Sequence, residues 1–109
     1  MGLAKIEEFT VRENKIATYA KALAHPARVA IIEMLLKKRS CICGDIVEEL
    51  PLSQSTVSQH LKELKNAGLI TGDIEGVTTC YCINEKEWLL AKQYLGTLID
   101  SPVAGKNCC

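Results

Sequence analysis

Apolar positions recur at helical spacing in the first third of the chain. One pattern runs from about Asn14 to Ala24, and His25-Pro26 interrupts it. Proline suits the first position of a second helix, because that position needs no backbone N–H. The sequence therefore predicts two consecutive helices. One face of the first helix carries Ile16, Tyr19, Ala20 and Leu23, and the apolar residues along the second helix are Val29, Ile32, Leu35 and Leu36.

A shorter pair of helices is predicted in the middle of the chain, on either side of a tight turn. The first covers Asp45–Leu50 and the second covers Gln54–Ala67. Ser53 is a good N-cap for the second helix, and Gly68 suits the position just after its C-terminus. Apolar residues at spacings of four and three predict the face that holds the second helix to the body: Val57, Leu61 and Leu64.

The last third of the chain predicts a β-hairpin and a final helix. Residues 69–74 and 77–83 read as strands joined at Glu75-Gly76, and the helix runs from about Lys86 to Ile99. With a short strand at residues 40–43, the order becomes α-α-β-α-α-β-β-α. This is a mainly α fold with a small β-hairpin, a winged helix-turn-helix. We expect one domain over residues 1–100 and a flexible, cysteine-containing tail over residues 101–109.

Composition narrows the function classes. The chain has 109 residues, no net charge, 48% hydrophobic residues and 24% charged residues, which is typical of a globular domain. No apolar run approaches the roughly 20 residues of a membrane span, and Met1–Thr10 lacks the apolar core of a signal peptide. We therefore expect a cytoplasmic protein with no membrane partner, whose six cysteines are thiols. No constellation of catalytic residues is recognisable, so we expect no enzymatic activity.

The second helix of the central pair has the composition of a DNA-reading helix. A helix-turn-helix unit presents its second helix to the major groove. Glutamine can bond an adenine edge, serine and threonine suit base edges or phosphates, and lysine suits phosphates. The alternative is the polar, solvated face that any amphipathic helix has, and the zero net charge does not favour DNA binding. The candidate DNA-binding residues are Gln54, Ser55, Thr56, Ser58, Gln59, His60, Lys62 and Lys65.

Two stretches resemble the ArsR/SmtB (arsenic-repressor) family of metalloregulatory transcriptional repressors. The first stretch is Leu23–Arg28, and the second is Leu52–Leu64 with its continuation to Ala67–Ile70. The similarity covers roughly residues 14–98. The resemblance implies a homodimer built on the first and last helices. It also implies binding to a two-fold operator in double-stranded DNA and release by an inducer. The family's wing usually carries Arg or Lys, whereas this hairpin carries Asp73 and Glu75, so we expect its contact with phosphates to be weak.

Two Cys-X-Cys pairs are the candidate sensing site. Residues two apart in a strand share a face, and winged-helix proteins place the short first strand beside the second hairpin strand. If Ile42 faces inward with Thr79, Tyr81 and Ile83, the four thiols converge on the other face. Four cysteines suit Zn(II), and three suit As(III) or antimony. The alternative is that these cysteines are small buried hydrophobes. The candidate ligands are Cys41, Cys43, Cys80 and Cys82.

The family's own metal sites do not carry over directly. In its arsenic- and cadmium-sensing members the second cysteine immediately precedes the aspartate, whereas Gly44 intervenes here, and the third cysteine of some members falls on Ile46. The last helix lacks the family's Asp/His zinc spacing, and His25 reads as a cap or packing residue. The tail pair Cys108 and Cys109 could supply a further ligand or could be incidental.

The sequence therefore predicts a dimeric repressor that leaves its operator when a thiophilic ion binds the cysteines. As(III) is the first candidate inducer, followed by Cd(II), Zn(II) and antimonite. One alternative keeps the fold and makes the thiols a redox sensor. Another is a metal-binding or protein-docking module without an operator.

Overall fold

The computed structural model describes residues 8–38, 41–43, 50–72 and 80–103. Within these ranges four helices and three strands follow one another in the predicted winged-helix order, and none of these helices is long and apolar enough to cross a membrane. Most of the predicted helix Asp45–Leu50, the hairpin turn at Glu75-Gly76 and most of the cysteine-containing tail lie outside the described residues. The elements are α1 (Val11–Ala22), α2 (Pro26–Lys38), β1 (Ile42–Cys43), α3 (Gln54–Asn66), β2 (Ile70–Gly72), β3 (Cys80–Ile83) and α4 (Glu85–Ile99).

Side-chain caps fix where the helices begin. Helix α1 starts three residues before the predicted Asn14, because Thr10 and Glu13 form a capping box: each side chain accepts a hydrogen bond at 3.0 Å from the other residue's backbone N–H. Helix α2 begins at Pro26, as predicted. Asn84 caps α4 by accepting from the backbone N–H of Glu87 at 3.3 Å.

The end of α3 is a glycine-dependent turn. Gly68 has φ +84°, a left-handed conformation that glycine adopts without a steric penalty. The backbone N–H of Gly68 donates to the carbonyl of Lys65 at 2.9 Å, and that of Leu69 donates to the carbonyl of Leu64 at 3.1 Å. These two bonds form a Schellman motif, which ends the helix where the sequence predicts and turns the chain directly into β2.

The core forms where α2, α3 and the sheet meet. Val57, Leu61 and Leu64 are buried, so the predicted inner face of α3 is confirmed. The apolar positions noted in the sequence of α1 and α2 are not all buried. Ala20 is exposed while Ala22 is buried, and Val29 and Leu36 are 40% and 41% exposed. Helix α2 is apolar on most sides, so its packing against α3 and β3 decides which side is buried. That side carries Ala27, Ile31, Ile32 and Leu35.

The three strands form one antiparallel sheet in the order β1-β3-β2. Strand β1 pairs with β3 as the sequence predicts, with Ile42 opposite Tyr81, and both side chains are buried. Strands β2 and β3 pair with Ile70 opposite Ile83 and Gly72 opposite Tyr81. A Cβ on Gly72 would lie 2.7 Å from the carbonyl oxygen of Cys80, so this close approach of the two strands requires glycine.

Candidate functional site

The outward face of α3 is polar and fully accessible. Ser53 caps the helix by accepting from the backbone N–H of Thr56 at 3.3 Å. Its hydroxyl also lies 2.9 Å from the Thr56 hydroxyl and 3.3 Å from the Ser55 hydroxyl. The first turn is therefore a connected set of hydroxyl groups, while Val57, Leu61 and Leu64 hold the opposite face against the core. Seven of the candidate DNA-binding residues are exposed: Gln54, Ser55, Thr56, Ser58, Gln59, Lys62 and Lys65.

The eighth candidate, His60, is buried, and its predicted place on the outer face is wrong. The residue is 9% exposed, and the centroid of its imidazole ring lies 4.2 Å from that of the His25 ring. Position 60 follows Val57 by three residues and precedes Leu64 by four, which puts it on the apolar face of the helix. That spacing was visible in the sequence. Burial, and then the positive charges of His25 and Arg28, lower the pKa of His60, while Glu63 acts in the opposite direction.

His25 and Arg28 form the α2 side of this histidine contact. The His25 Nδ1 accepts a hydrogen bond at 3.0 Å from the backbone N–H of Ala27, so its predicted role as a cap or packing residue is confirmed. One guanidinium nitrogen of Arg28 lies 3.5 Å from the His60 Nδ1, and another donates to the Lys21 carbonyl at 3.4 Å. This contact fixes the start of α2 against the middle of α3.

The structure brings Cys41 and Cys82 together in a disulfide across β1 and β3. Their Cα atoms are 4.3 Å apart, a separation typical of directly opposite, non-hydrogen-bonded residues in an antiparallel pair. Cys80 is also disulfide-bonded, and its register partner on β1 is Cys43. The expectation of free thiols is therefore wrong for Cys41, Cys80 and Cys82. The predicted strand pairing itself is the reason, because it places cysteines directly opposite one another.

The metal site predicted at these cysteines is not formed in the described part of the chain. No group of three or more metal-binding side chains suited to an ion occurs among the described residues. The side chain of Cys43 and the tail residues Cys108 and Cys109 lie outside them. Chemically, the described pair can cycle between a disulfide and two thiols, and only the thiol form could bind a soft ion.

A cavity of about 400 Å³ adjoins the disulfide. It lies where the end of α2 meets β3 and the start of α4, and it contains the only tryptophan of the sequence. Most of its described lining is apolar, and Glu85 is the one carboxylate among these described residues. The lining residues are Leu35, Leu36, Cys41, Cys82, Ile83, Glu85, Trp88 and Leu89. No pattern in the sequence predicts this cavity, because its walls come from elements that only the tertiary structure brings together.

A second polar contact, which no motif in the sequence predicts, joins α1 to α4. The buried Tyr19 donates its hydroxyl hydrogen to the carboxylate of Glu87, and Lys15 pairs with the same oxygen at 3.2 Å. The hydrogen bond from Tyr19 is the main reason that the pKa of Glu87 is lowered. Burial and the same hydrogen bond raise the pKa of Tyr19. A Cβ on Gly68 would lie 3.2 Å from the Glu87 Cγ, so α4 also contacts the turn that ends α3.

Helices α1 and α4 leave large apolar side chains in solvent. Val11 on α1 is 72% exposed, and on α4 the exposed fractions are 62% for Leu89, 47% for Leu98 and 79% for Ile99. A shallow groove runs along α4 from Trp88 to Asp100. These are the two helices on which the family resemblance places the dimer contact.

Comparison with known sequences identifies close relatives among bacterial and archaeal regulators. Residues 25–71 match the family model described as "Bacterial regulatory protein, arsR family". The chain is 43% identical to the HTH-type transcriptional repressor SmtB of Mycobacterium tuberculosis, over 56% of this chain and 44% of that protein. It is 39% identical to an uncharacterized HTH-type transcriptional regulator of Methanocaldococcus jannaschii, over 64% of this chain and 79% of the relative. It is 38% identical to the arsenical resistance operon repressor of Bacillus subtilis, over 62% and 64%.

Solved structures share the fold over most of the chain. A crystal structure of an ArsR family transcriptional regulator superposes with a TM-score of 0.66 at 18% identity, covering 84% of this chain and 96% of that one. Reduced HlyU from Vibrio cholerae superposes with a TM-score of 0.59 at 31% identity, covering 84% and 98%. The relatives are transcriptional regulators, which agrees with the expectation that the chain is not an enzyme.

Proposed function

Because the chain belongs to the ArsR family of bacterial transcriptional regulators, we propose that it is a dimeric repressor that binds operator DNA through α3. In this proposal, a change in the chemical state of Cys41 and Cys82 releases it from the operator. The observation that carries the proposal is the outward face of α3, where seven polar candidate residues are exposed on a helix whose other face is buried. Such a repressor acts in the cytoplasm, beside the DNA.

The exposed residues of α3 suit two kinds of DNA contact, with base edges and with phosphates. Gln54 and Gln59 can bond base edges in the major groove, since an amide offers a donor and an acceptor together. Lys62 and Lys65 lie three and six residues after Gln59 and suit phosphates. Contacts with phosphates give affinity without sequence preference. His60 packs inward and has no part in this surface, although it holds α3 to the start of α2.

The exposed apolar residues of α1 and α4 support a homodimer. Val11, Leu98 and Ile99 would remain in water in a single copy, and association of two copies through these helices would bury them. A two-fold dimer presents two copies of α3, and half-sites one helical turn apart would match that arrangement.

Thiol oxidation is the release signal that the geometry favours. Cys41 and Cys82 are bonded to each other across two strands, and β3 also pairs with β2, the first strand of the wing. A change in the pairing of β1 with β3 can therefore alter the position of the wing relative to α3. The relative HlyU was solved in a form described as reduced, at 31% identity to this chain. In this proposal the dithiol form binds the operator and the disulfide form releases it.

Binding of a thiophilic ion is the second candidate signal. A relative from Bacillus subtilis is named an arsenical resistance operon repressor. In the reduced state Cys41 and Cys82 would supply two adjacent thiolates, and Cys80 lies two residues from Cys82 on the same strand. Three thiolates suit pyramidal As(III), with Cd(II), Zn(II) and antimonite as the next candidates. Cys43, Cys108 and Cys109 remain proposed further ligands.

One titration separates the two signals. Fluorescence anisotropy would measure binding to a labelled duplex taken from the DNA upstream of the protein's own gene. The protein would be reduced, oxidised with hydrogen peroxide, or reduced and then mixed with arsenite, Cd(II) or Zn(II). The same series would be run on Cys41→Ser/Cys82→Ser, with Cys108→Ser/Cys109→Ser as the matched control.

We expect oxidation to weaken operator binding by about tenfold or more, equivalent to about 1.4 kcal/mol, in the wild type and in the tail variant. The Cys41→Ser/Cys82→Ser variant should bind DNA equally in both redox states. Release of the reduced protein by an ion, without an effect of oxidation, would establish the second candidate instead. Tight binding that no treatment changes would contradict any sensing role for the pair. Absence of operator binding in every state would favour a docking module.

A further inference from the structure

The cavity beside the disulfide places an apolar chamber against the two sulfur atoms. Cys41 and Cys82 both line it, and Leu35, Leu36 and Trp88 supply apolar and aromatic surface. Its volume of about 400 Å³ lies within the range of small-molecule sites, roughly 300–1,000 Å³. A molecule bound there would touch the sulfur atoms whose oxidation state the proposed function makes the signal.

The lining indicates the class of molecule that fits. Apolar walls favour a neutral organic compound over a hydrated ion, and the Trp88 indole offers a flat face on which an aromatic ring can stack. Among the described lining residues, Glu85 contributes the one carboxylate, which disfavours anions and can accept a hydrogen bond from a hydroxyl group. A compound that oxidises two thiols must accept two electrons and two protons. A neutral quinone meets all of these requirements.

We propose that this cavity binds a neutral quinone, which oxidises Cys41 and Cys82 to the disulfide. The two S–H bonds break and one S–S bond forms. The two electrons and two protons pass to the quinone, whose two carbonyl groups become the hydroxyl groups of a hydroquinone. The hydroquinone then leaves the cavity, with Glu85 able to accept a hydrogen bond from one of its hydroxyl groups. The inference rests on the redox form of the proposed function and names the oxidant for the same cysteine pair.

Binding can be measured without the reaction. With all six cysteines changed to serine, Cys41 and Cys82 among them, the cavity keeps its apolar walls and the chain has no thiol to oxidise. Trp88 is the only tryptophan of the chain, and it lines both the cavity and the groove along α4, so quenching of its fluorescence reports binding at either place and the variants below separate the two. The probe is tetramethylbenzoquinone, whose ring carries no hydrogen and is blocked against addition of a thiol. We expect saturable quenching of Trp88 by this probe and much weaker binding of a sulfonated, anionic quinone.

A matched pair of variants tests the location. Leu36 lines the cavity, whereas Val29 on the same helix does not, and their exposed fractions are nearly equal at 41% and 40%. Introduced into the same serine background, Leu36→Glu should weaken quinone binding by about tenfold or more, because it places a second carboxylate in an apolar site. Val29→Glu should leave binding unchanged. Equal quenching in both variants, or quenching that does not saturate, would overturn the proposal.

The redox step is tested on a chain that keeps only Cys41 and Cys82, with the other four cysteines changed to serine. Intact mass after trapping of free thiols would follow oxidation by tetramethylbenzoquinone and by hydrogen peroxide. We expect the quinone rate to reach a plateau with quinone concentration and to fall in Leu36→Glu, while the peroxide rate stays the same in both. A quinone rate that is linear in concentration and unaffected by Leu36→Glu would overturn the proposal. A rate that falls as protein concentration rises would also overturn it, because a second copy would then cover the cavity.

Failure of the quinone site and failure of the proposed release signal give different results. If the rate of oxidation by the quinone depends on the cavity but the peroxide-oxidised protein still binds its operator, the quinone site is supported and the proposed release signal is wrong. If peroxide releases the DNA but the quinone shows no cavity dependence, the release signal stands and the quinone site is wrong.

Discussion

The imidazole rings of His25 and His60 lie with their centroids 4.2 Å apart and their planes tilted by 43°. They are the only two histidines of the chain, and they join the start of α2 to the buried face of α3. Arg28 lies beside them, with a guanidinium nitrogen 3.5 Å from the His60 Nδ1. The helix proposed to read DNA is therefore held to α2 through its own His60, whose protonated form is disfavoured.

This contact predicts that stability falls in mild acid. The pKa of His60 is lowered from 6.5 by burial and by the charges of His25 and Arg28, so the folded state keeps it neutral where the unfolded state binds a proton. Below about pH 6.5 the unfolded state holds more protons at this site, so the free energy of unfolding decreases as the pH falls towards the lowered pKa. Urea unfolding followed by circular dichroism between about pH 7.5 and 5.5 would measure this decrease.

His60→Gln provides the control for this pH dependence. Glutamine keeps a polar group near Arg28 but does not titrate, so the decrease over this range should become smaller. Glu87 does not contribute to the change in the free energy of unfolding over this pH range. Its pKa is lowered from 4.5, so its own contribution is lost only at more acidic pH. Identical pH profiles for the wild type and His60→Gln would contradict the prediction.

The contact of Tyr19 with Glu87 predicts unequal effects of two substitutions. Tyr19→Phe removes a buried hydroxyl that donates to a carboxylate, and should lower the free energy of unfolding by about 1–3 kcal/mol. Lys15→Ala removes the exposed partner of the same carboxylate and should cost less than about 1 kcal/mol, because solvent screens that ion pair. Urea unfolding at neutral pH measures both. A larger loss in Lys15→Ala than in Tyr19→Phe would contradict this assignment.

The proposed phosphate contacts of α3 predict a salt-dependent signature. Lys62→Ala and Lys65→Ala should each weaken operator and non-operator DNA alike, and should reduce the slope of log affinity against log salt by about one. Lys37→Ala is the matched control, because this exposed lysine lies at the end of α2. Anisotropy titrations at several salt concentrations provide the measurement. If Lys37→Ala reduced the slope as much, the result would contradict the assignment of these phosphate contacts to α3.

The exposed apolar residues of α1 and α4 predict where a dimer would be disrupted. Ile99→Glu should shift the protein towards a monomer, because it would bury a charge in the proposed contact. Val29→Glu changes a similarly apolar, exposed residue on α2 and should leave the assembly unchanged. Light scattering coupled to size-exclusion chromatography would give the mass of each. A wild-type monomer, or a dimer that resists Ile99→Glu, would contradict this contact surface.

Local chemistry in the sequence was enough to predict most of the fold. Pro26, Ser53 and Gly68 mark helix ends through properties of single residues, namely a fixed φ, a capping hydroxyl and a tolerated positive φ. The spacing of Val57, Leu61 and Leu64 predicts the buried face of α3, and residues two apart in β1 and β3 predict that Ile42 and Tyr81 face inward. These features depend on neighbours within a few positions, so the sequence alone determines them.

Contacts between elements were decided only by the tertiary structure. The start of α2 meets the buried face of α3, and this meeting makes His60 a packing residue beside His25. The pairing of β1 with β3 brings Cys41 within bonding distance of Cys82, although 41 positions separate them. The cavity beside them needs α2, β3 and α4 together. The physical reason is that burial and bonding between distant residues depend on how whole faces pack, which a periodic pattern along one segment does not encode.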